Sequence, residues 1–597
     1  MATRSSIQVL GIPELVALLA RDLDKRDLIH LAYTSRGCFL SAINHVWREI
    51  RGVHNLLALI PGTKCEDYGG KGLNWACTIP DLWAVDLTRF RFYAPFIQHL
   101  EILPRPRASY LATDWSNLHT YARSTTLLPN LRTLIFGAQI LGESSLSDSL
   151  KPFLTPGVRQ IHTNPPGALD RTPIPIPIAA ALLEAIFQTC PDVTDLTFLP
   201  EEVPHDIDAS YSDDNIVDGQ VDPGSDTTTT EIPLENLVLT RNRIQHPSQN
   251  SSDVNDLTTR LSRLNFRPAT YYKYLRHADC LHTLTTSACI LRPGALMTIG
   301  ELPNLKTINV HFCVNYRALS LFDYSKLPTS LFSSLRTLRL HLPEVDDIRQ
   351  IWKIKPLVSR LRELAIDLHD QADFGTDHIH SNYFLSLFPT ICAQSSSIES
   401  LTLDFNGNRG GSRIFNIPLQ TLVVLASLPL KTLDLRGARL GTVKQACQSL
   451  SQCCTLRNLY IASQRIDYDE LLYFSQIPGL ECLYADFLWE DKRKLSHHLN
   501  NSPPEHSSNI QFLWCSTFPE LTGSPKANLN LTKGVVMYAF FNQSAIVRYL
   551  TQTSSRWLSI LFPKLEEVSY LAKQSGSADS RGINWIYDFF KYYAWQP

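Results

Sequence analysis

From Ile97 onward, large apolar residues recur in the form L-x-x-L-x-L. Clear copies are Ile97–Ile102, Leu131–Phe136, Val193–Phe198, Leu234–Leu239, Leu305–Val310, Leu335–Leu340, Leu361–Ile366, Ile398–Leu403, Leu430–Leu435, Leu456–Ile461 and Leu480–Ala485. Weaker copies start at Val158, at Leu261 or Leu281, at Ile510 and at Leu565. The alternating L-x-L end of each copy predicts a short strand that buries one side chain in two. Between copies, Leu419–Ala426, Val443–Leu450 and Tyr468–Ser475 have helical spacing, and Pro303, Pro429 or Pro478-Gly479 stands just before the next strand. Strand and return segment together cannot hide their apolar faces alone. Stacked units pair strand with strand in parallel and bury a continuous core.

From Leu305 to Ile510 successive starts lie 30, 26, 37, 32, 26, 24 and 30 residues apart. Those periods bracket the leucine-rich repeat. No Asn stands at a constant offset, so the copies resemble irregular leucine-rich repeats. The resulting expectation is an α/β fold with a parallel sheet on a concave face. An ordinary α/β domain also alternates strand and helix and is the competing architecture.

The first fifty residues follow a different pattern. Pro13 suits a first helical position, and Leu15, Leu18 and Leu19 then share one face. Asp24 is placed to cap a second helix, with Leu28, Leu31, Ala32 and Ser35 at helical spacing. Phe39, Ala42, Ile43, Val46 and Trp47 repeat that spacing. So little chain buries three helices poorly by itself, and its leftover apolar surface implies a partner. Ile12-Pro13-Glu14-Leu15, Asp27-Leu28 with Leu31, Ser35-Arg36 and Trp47-Arg48-Glu49 resemble the F-box motif. The sequence departs from that motif at Ile12, where Leu is usual, at Thr34 and at Gly37-Cys38. A helical cap on the repeats is the alternative.

The expected organisation is an F-box-like helical domain at 8–52, a helical and loop linker at 53–96, and a repeat array at 97–575. An aromatic C-terminal cap follows at 576–597. Gly69-Gly70-Lys71-Gly72 is a loop without Walker spacing. Residues 200–232 hold ten acidic and no basic residues and predict a disordered acidic insert; 245–256 is a smaller Ser/Asn-rich loop.

Charge and composition exclude more than they select. With 55 basic and 57 acidic residues the chain carries −2, or +8 once the acidic insert is set aside, which argues against a nucleic-acid binder. Thirteen cysteines lack framework or zinc spacing; Cys447, Cys453 and Cys454 are the one cluster. Reduced thiols in the cytoplasm or nucleus are expected. Glu14 and Arg21-Asp22 interrupt any secretory leader, and no apolar run is long enough to span a membrane.

Catalytic signatures such as G-x-S-x-G, H-E-x-x-H and a placed dinucleotide fingerprint are missing from the sequence, so no catalytic residue, cofactor or metal is expected. His497-His498, and the loop of His378 and His380 near Asp370, Asp373 and Asp377, read as solvated. Informative positions lie instead between the strand leucines, facing away from the core. One outward row reads Asn309, Arg339, Ala365, Thr402, Asp434, Tyr460, Tyr484; the next reads His311, His341, Asp367, Asp404, Arg436, Ala462, Asp486. Tyr and Arg are enriched at the energetic centres of interfaces. Arg339, Asp367, Asp404, Asp434, Arg436, Tyr460 and Tyr484 are therefore the candidate substrate contacts. A solvated sheet in which Asp404 pairs with Arg436 is the plainer reading.

The F-box resemblance implies docking on a Skp-family adaptor, and through it on a cullin, with Ile12, Pro13, Leu15, Leu28, Leu31 and Trp47 as adaptor contacts. It implies a non-catalytic subunit that recruits a protein substrate to a ubiquitin ligase. Two other classes stay open: a leucine-rich-repeat scaffold without a ubiquitin role, and a GTPase-activator-like protein presenting Arg436 or Arg465 to a partner.

Overall fold

A computed structural model describes residues 12–67, 74–102, 109–113, 115–136, 150–164, 173–201, 268–312, 323–341, 343, 345–368, 377–405, 415–487, 512–515, 536–539 and 567–570. The loop Gly69–Gly72, the inserts at 202–232 and 245–256, the copies at Leu234 and Leu261, His497-His498 and the aromatic tail lie outside them. The chain divides into two compact units, Met1–Leu305 and Lys306–Pro597.

The first unit opens with three helices, α1 (Pro13–Asp22), α2 (Lys25–Ala32) and α3 (Arg36–Arg48). Each begins where its sequence supplies a start. Pro13 occupies the first turn of α1. Asp24 accepts from the Asp27 N–H at 2.8 Å, and Ser35 accepts from the Cys38 N–H at 3.1 Å.

The helix α3 runs directly into β1 (Glu49–Arg51), a strand that the sequence pattern does not announce. Then come β2 (Lys64–Asp67), β3 (Asn74–Thr78), β4 (His99–Glu101), β5 (Ser109–Thr113), β6 (Thr133–Ile135), β7 (Gln160–His162), β8 (Asp195–Phe198) and β9 (Thr283–Ser287). Parallel pairs join β1 to β4 and continue through β6, β7 and β8 to β9. Ile50, Leu100, Leu134, Ile161, Leu196 and Leu284 occupy one register row, and all are buried. The weak copies at Val158 and Leu281 thus give real strands. The expected helical and loop linker has short helices at Val53–Leu57 and Thr88–Tyr93, and it also holds paired strands: β2 pairs antiparallel with β3, and β3 pairs in parallel with β5.

The second unit contains β10 (Thr307–His311), β11 (Thr337–His341), β12 (Glu363–Asp367), β13 (Ser400–Asp404), β14 (Phe415–Asn416), β15 (Thr432–Arg436), β16 (Ala438–Arg439), β17 (Asn458–Ile466), β18 (Cys482–Phe487), β19 (Phe512–Cys515), β20 (Val536–Ala539) and β21 (Glu567–Tyr570). Parallel pairing runs from β10 through β11, β12, β13, β15, β17, β18 and β19 to β21, with β20 beside β21. The short strands β14 and β16 pair separately. One L-x-x-L-x-L copy on each of β10, β11, β12, β13, β15, β17 and β18 gives the leucine-rich-repeat arrangement. Ile308, Leu338, Leu364, Leu401, Leu433, Leu459 and Leu483 stack in register, none more than 1% exposed. Each such side chain contributes about 1.5–3 kcal/mol by leaving water.

Register is fixed at the strand entrance. The N–H groups of Arg336 and Thr337 both donate to the Lys306 carbonyl, those of Arg362 and Glu363 to the Arg336 carbonyl, and those of Glu399 and Ser400 to the Arg362 carbonyl. In the first unit, Arg132 and Thr133 share the Gln98 carbonyl in the same way. A one-residue slip would break this step and turn every leucine to the other face.

The return segments fall where the sequence places them, with helices at Leu419–Leu425, Val443–Leu450 and Tyr468–Ser475. Asp467 and Glu470 close the last of these with a reciprocal capping box. The residues His378 to His380, expected in a loop, lie at the start of the helix Asp377–Gln394.

Candidate functional site

Two surfaces carry the candidate residues. In the first unit, the three helices share a small core of Ala20, Leu28 and Ala42, packed by Leu23, Leu31, Ala32 and Val46. Leu28 is only 5% exposed, so its side chain serves that core rather than the surface. Leu31 is half-buried against the same cluster. Trp47 stacks on Tyr93, with ring centroids 4.5 Å apart, and Tyr93 in turn meets Phe92 edge-on. The two remaining candidates whose side chains are described point to water: Ile12 is 44% exposed and Leu15 37%.

These two have company. Leu18 and Leu19 on α1, Ile29 and Tyr33 at one helical turn's spacing, and Leu40 are also exposed. Among the described residues, seven of the ten exposed large hydrophobic side chains fall between Ile12 and Leu40. Val16 and Ala20, on the other face of α1, are 1% exposed. The helix therefore has two apolar faces, and the fold uses one. Lys25 ties α2 to the sheet by donating to the Glu49 carbonyl at 3.3 Å. Burial holds that ammonium below the usual lysine range, partly offset by Glu49.

The second surface is the outward face of the sheet in the second unit. The strands β10 to β13 alternate buried leucine with half-buried polar residues, as the pattern requires. Pairing brings Asn309, Arg339, Ala365, Thr402, Asp434, Tyr460 and Tyr484 into one row. The neighbouring row joins His311, His341, Asp367, Asp404 and Arg436. Within it the His311 and His341 rings stack with centroids 4.0 Å apart, and His341 Nδ1 lies 3.6 Å from Asp367 Oδ2. Tyr460 and Tyr484 stand 6.3 Å apart on adjacent strands.

Three expectations change here. Asp434 faces outward but is 9% exposed, because Arg436 lies against it: Nε donates at 2.9 Å and Nη2 sits 2.7 Å away. Burial raises the Asp434 carboxyl above its ordinary range despite that guanidinium. The pairing expected between Arg436 and Asp404 is the looser contact, at 3.9 Å. The second outward row also breaks after Arg436. A bulge in β17 takes Ala462 out of line, so that Arg465 rather than Ala462 stands opposite Asp486. Nothing in the spacing of the copies marks that bulge.

The cysteine cluster resolves into separate environments. Cys447 and Cys453 are buried, the second in hydrogen-bonding reach of the Leu428 and Leu430 carbonyls, and Cys454 is exposed. A closer pair, Cys65 and Cys77, comes from the paired strands β2 and β3, within the span expected as a helical and loop linker. Among the described residues no set of three His, Cys, Asp or Glu side chains is arranged to hold a metal ion, and no helix is long and apolar enough to cross a membrane.

No family model matches the chain, and no curated protein matches it. Among solved structures it is similar to an internalin (inlF) from Listeria monocytogenes, at 12% identity and a TM-score of 0.27, over 71% of this chain and 83% of that one. It is also similar to TLR13 in a complex with ssRNA13, at 12% identity and a TM-score of 0.26, over 86% of this chain and 75% of that one.

Proposed function

We propose that this chain is a substrate-recognition adaptor of a Skp–cullin–F-box type ubiquitin ligase. The observation that carries the reading is the exposed apolar face of α1. Ile12, Leu15, Leu18 and Leu19 stay in water within the stretch whose residues resemble the F-box motif. Exposed apolar surface of this kind marks an interaction site. The adaptor covers that face and links the chain to a cullin. The outward rows of the second unit hold a protein substrate, with Arg339, Tyr460 and Tyr484 as anchors and the Asp367, Asp404 and Arg436 charges setting its register. Bond making belongs to other subunits, and this chain supplies proximity. The complex acts in the cytoplasm or nucleus.

Two observations favour a second reading, in which the helices only cap the repeats. The helix α3 continues into β1, and Trp47 is committed to Tyr93. A GTPase-activator role gains less support, since the Arg436 guanidinium is held on Asp434. Affinity purification of the full chain from cells with the proteasome blocked separates the readings. Recovery of a Skp-family adaptor and a cullin, lost in Leu15→Asp/Leu18→Asp, supports the adaptor role. Recovery of neither from the wild-type chain leaves the cap.

A further inference from the structure

The hairpin β2–β3 places two thiols side by side. Cys65 and Cys77 are directly opposite in the antiparallel register, and their sulfur atoms lie 2.9 Å apart with the Cys77 thiol donating. Their settings differ. Cys77 is 1% exposed, whereas Cys65 is half-buried and reachable from solvent. The strands are held from both sides: β3 pairs along its length with β5, and Trp75 stacks on His54 at 4.0 Å. The pair is thus presented by ordered backbone. Sulfur atoms this close need only a small approach to reach bonding distance, in a register where the two Cβ atoms already face each other.

We propose that Cys65 and Cys77 form a peroxide-reactive modification site that closes to an intramolecular disulfide. Cys65 is the attacking sulfur. Its thiol is held below the usual range by the hydrogen bond from Cys77, which favours the thiolate. The thiolate attacks the O–O bond of a hydroperoxide; an S–O bond forms, the O–O bond breaks, and the other oxygen leaves as an alcohol, or as water from hydrogen peroxide. The Cys77 sulfur then attacks the Cys65 sulfur. An S–S bond forms, the S–O bond breaks, and the departing hydroxide leaves as water with the Cys77 proton. Two thiols and one hydroperoxide give one disulfide, one alcohol and one water. A dithiol reductant restores both thiols by exchange and becomes a disulfide itself. This site is independent of the adaptor reading and does not involve the α1 surface.

Peptide mapping of the full chain tests it. Trypsin cuts after Lys64, Lys71 and Arg89, which puts Cys65 and Cys77 in different peptides, each with no other cysteine. After stoichiometric hydrogen peroxide and alkylation of remaining thiols, the expected product is a cross-linked pair, 65–71 with 72–89, that dithiothreitol separates. The exposed Cys454 is the internal reference, and Cys65 should react at least about tenfold faster. In Cys77→Ser the reaction should stop at a Cys65 sulfenic acid trapped by dimedone; in Cys65→Ser, Cys77 should stay alkylatable. Recovery of both wild-type cysteines as alkylated thiols while Cys454 is oxidised, or cross-links to other cysteines instead, overturns the proposal. Because the wild-type map decides alone, a variant that folds poorly cannot rescue it.

Discussion

Arg436 lies against Asp434, two residues earlier on the same strand, with Nη2 2.7 Å from the carboxylate. Residues two apart on a strand share a face, so the guanidinium covers the carboxylate that would otherwise meet solvent there. The contact links the two outward rows and makes Asp434 a structural partner before it is a recognition residue. Removing the guanidinium leaves a buried carboxylate with a missing donor. Arg436→Ala should lower unfolding stability by about 1–3 kcal/mol. In a double-mutant cycle with Asp434→Asn the two effects should not add. Chemical denaturation of the four proteins checks both points.

Asp434 also sets a pH dependence. Burial raises its folded carboxyl above the unfolded value, which is about 3.9. The folded state therefore binds more protons between those two values, and stability falls as pH rises through that window. Below it the carboxyl is neutral in both states and the penalty vanishes. The stability of Asp434→Asn relative to wild type should accordingly increase as pH is raised from below about 3.9 and level off above the folded value. A flat difference across that range, from urea melts at stepped pH, counts against the burial assigned to Asp434.

Close backbone packing makes Gly479 a sensitive position. A Cβ there would fall 2.8 Å from the Cys454 carbonyl oxygen and 2.9 Å from that of Leu456, so backbone must shift to admit it. Gly479→Ala should cost about 1–3 kcal/mol, and a lowered Tm by calorimetry is the readout. Gly294, with nothing within 4 Å of its added Cβ, is the matched control.

The helical unit separates folding from docking. Leu28→Ala empties part of the core around Ala20 and Ala42 and should cost about 2–5 kcal/mol locally. Leu15→Ala should leave stability within about 0.5 kcal/mol, because that side chain is in water in the free protein. Hydrogen exchange across 12–50 distinguishes a local from a global effect.

Much of this was legible in the sequence, for reasons that are local. Period-two leucines and period-3.6 stripes report which face is buried, so the strands after Leu305, the helices Val443–Leu450 and Tyr468–Ser475, and the cap Asp24 follow from neighbours in the chain. What failed depended on residues brought together from afar. Leu28 and Leu15 look alike as leucines in one motif, and only packing shows that one is core and the other solvent. The Asp434–Arg436 contact hid behind an equally plausible partner on the next strand, Asp404. The pairing of Cys65 with Cys77 joins short alternating runs on either side of a glycine-rich stretch, and nothing in either run alone marks the other as its partner.

On the sheet, recognition and folding should also come apart. Arg339 and Tyr484 are half-buried, outward and away from the register leucines. Arg339→Ala/Tyr484→Ala should deplete the proteins that co-purify with the full chain by at least about tenfold while adaptor recovery is unchanged. Unchanged recovery of every co-purifying protein moves the substrate site off this face.

The most direct measurement is calorimetric titration of a purified Skp-family adaptor into the full chain and into Leu15→Asp/Leu18→Asp. The exposed α1 face predicts saturable one-to-one binding to the wild-type chain and at least about a hundredfold weaker binding to the variant, with circular dichroism unchanged. No heat with the wild-type chain, or equal affinity for both proteins, contradicts the adaptor reading.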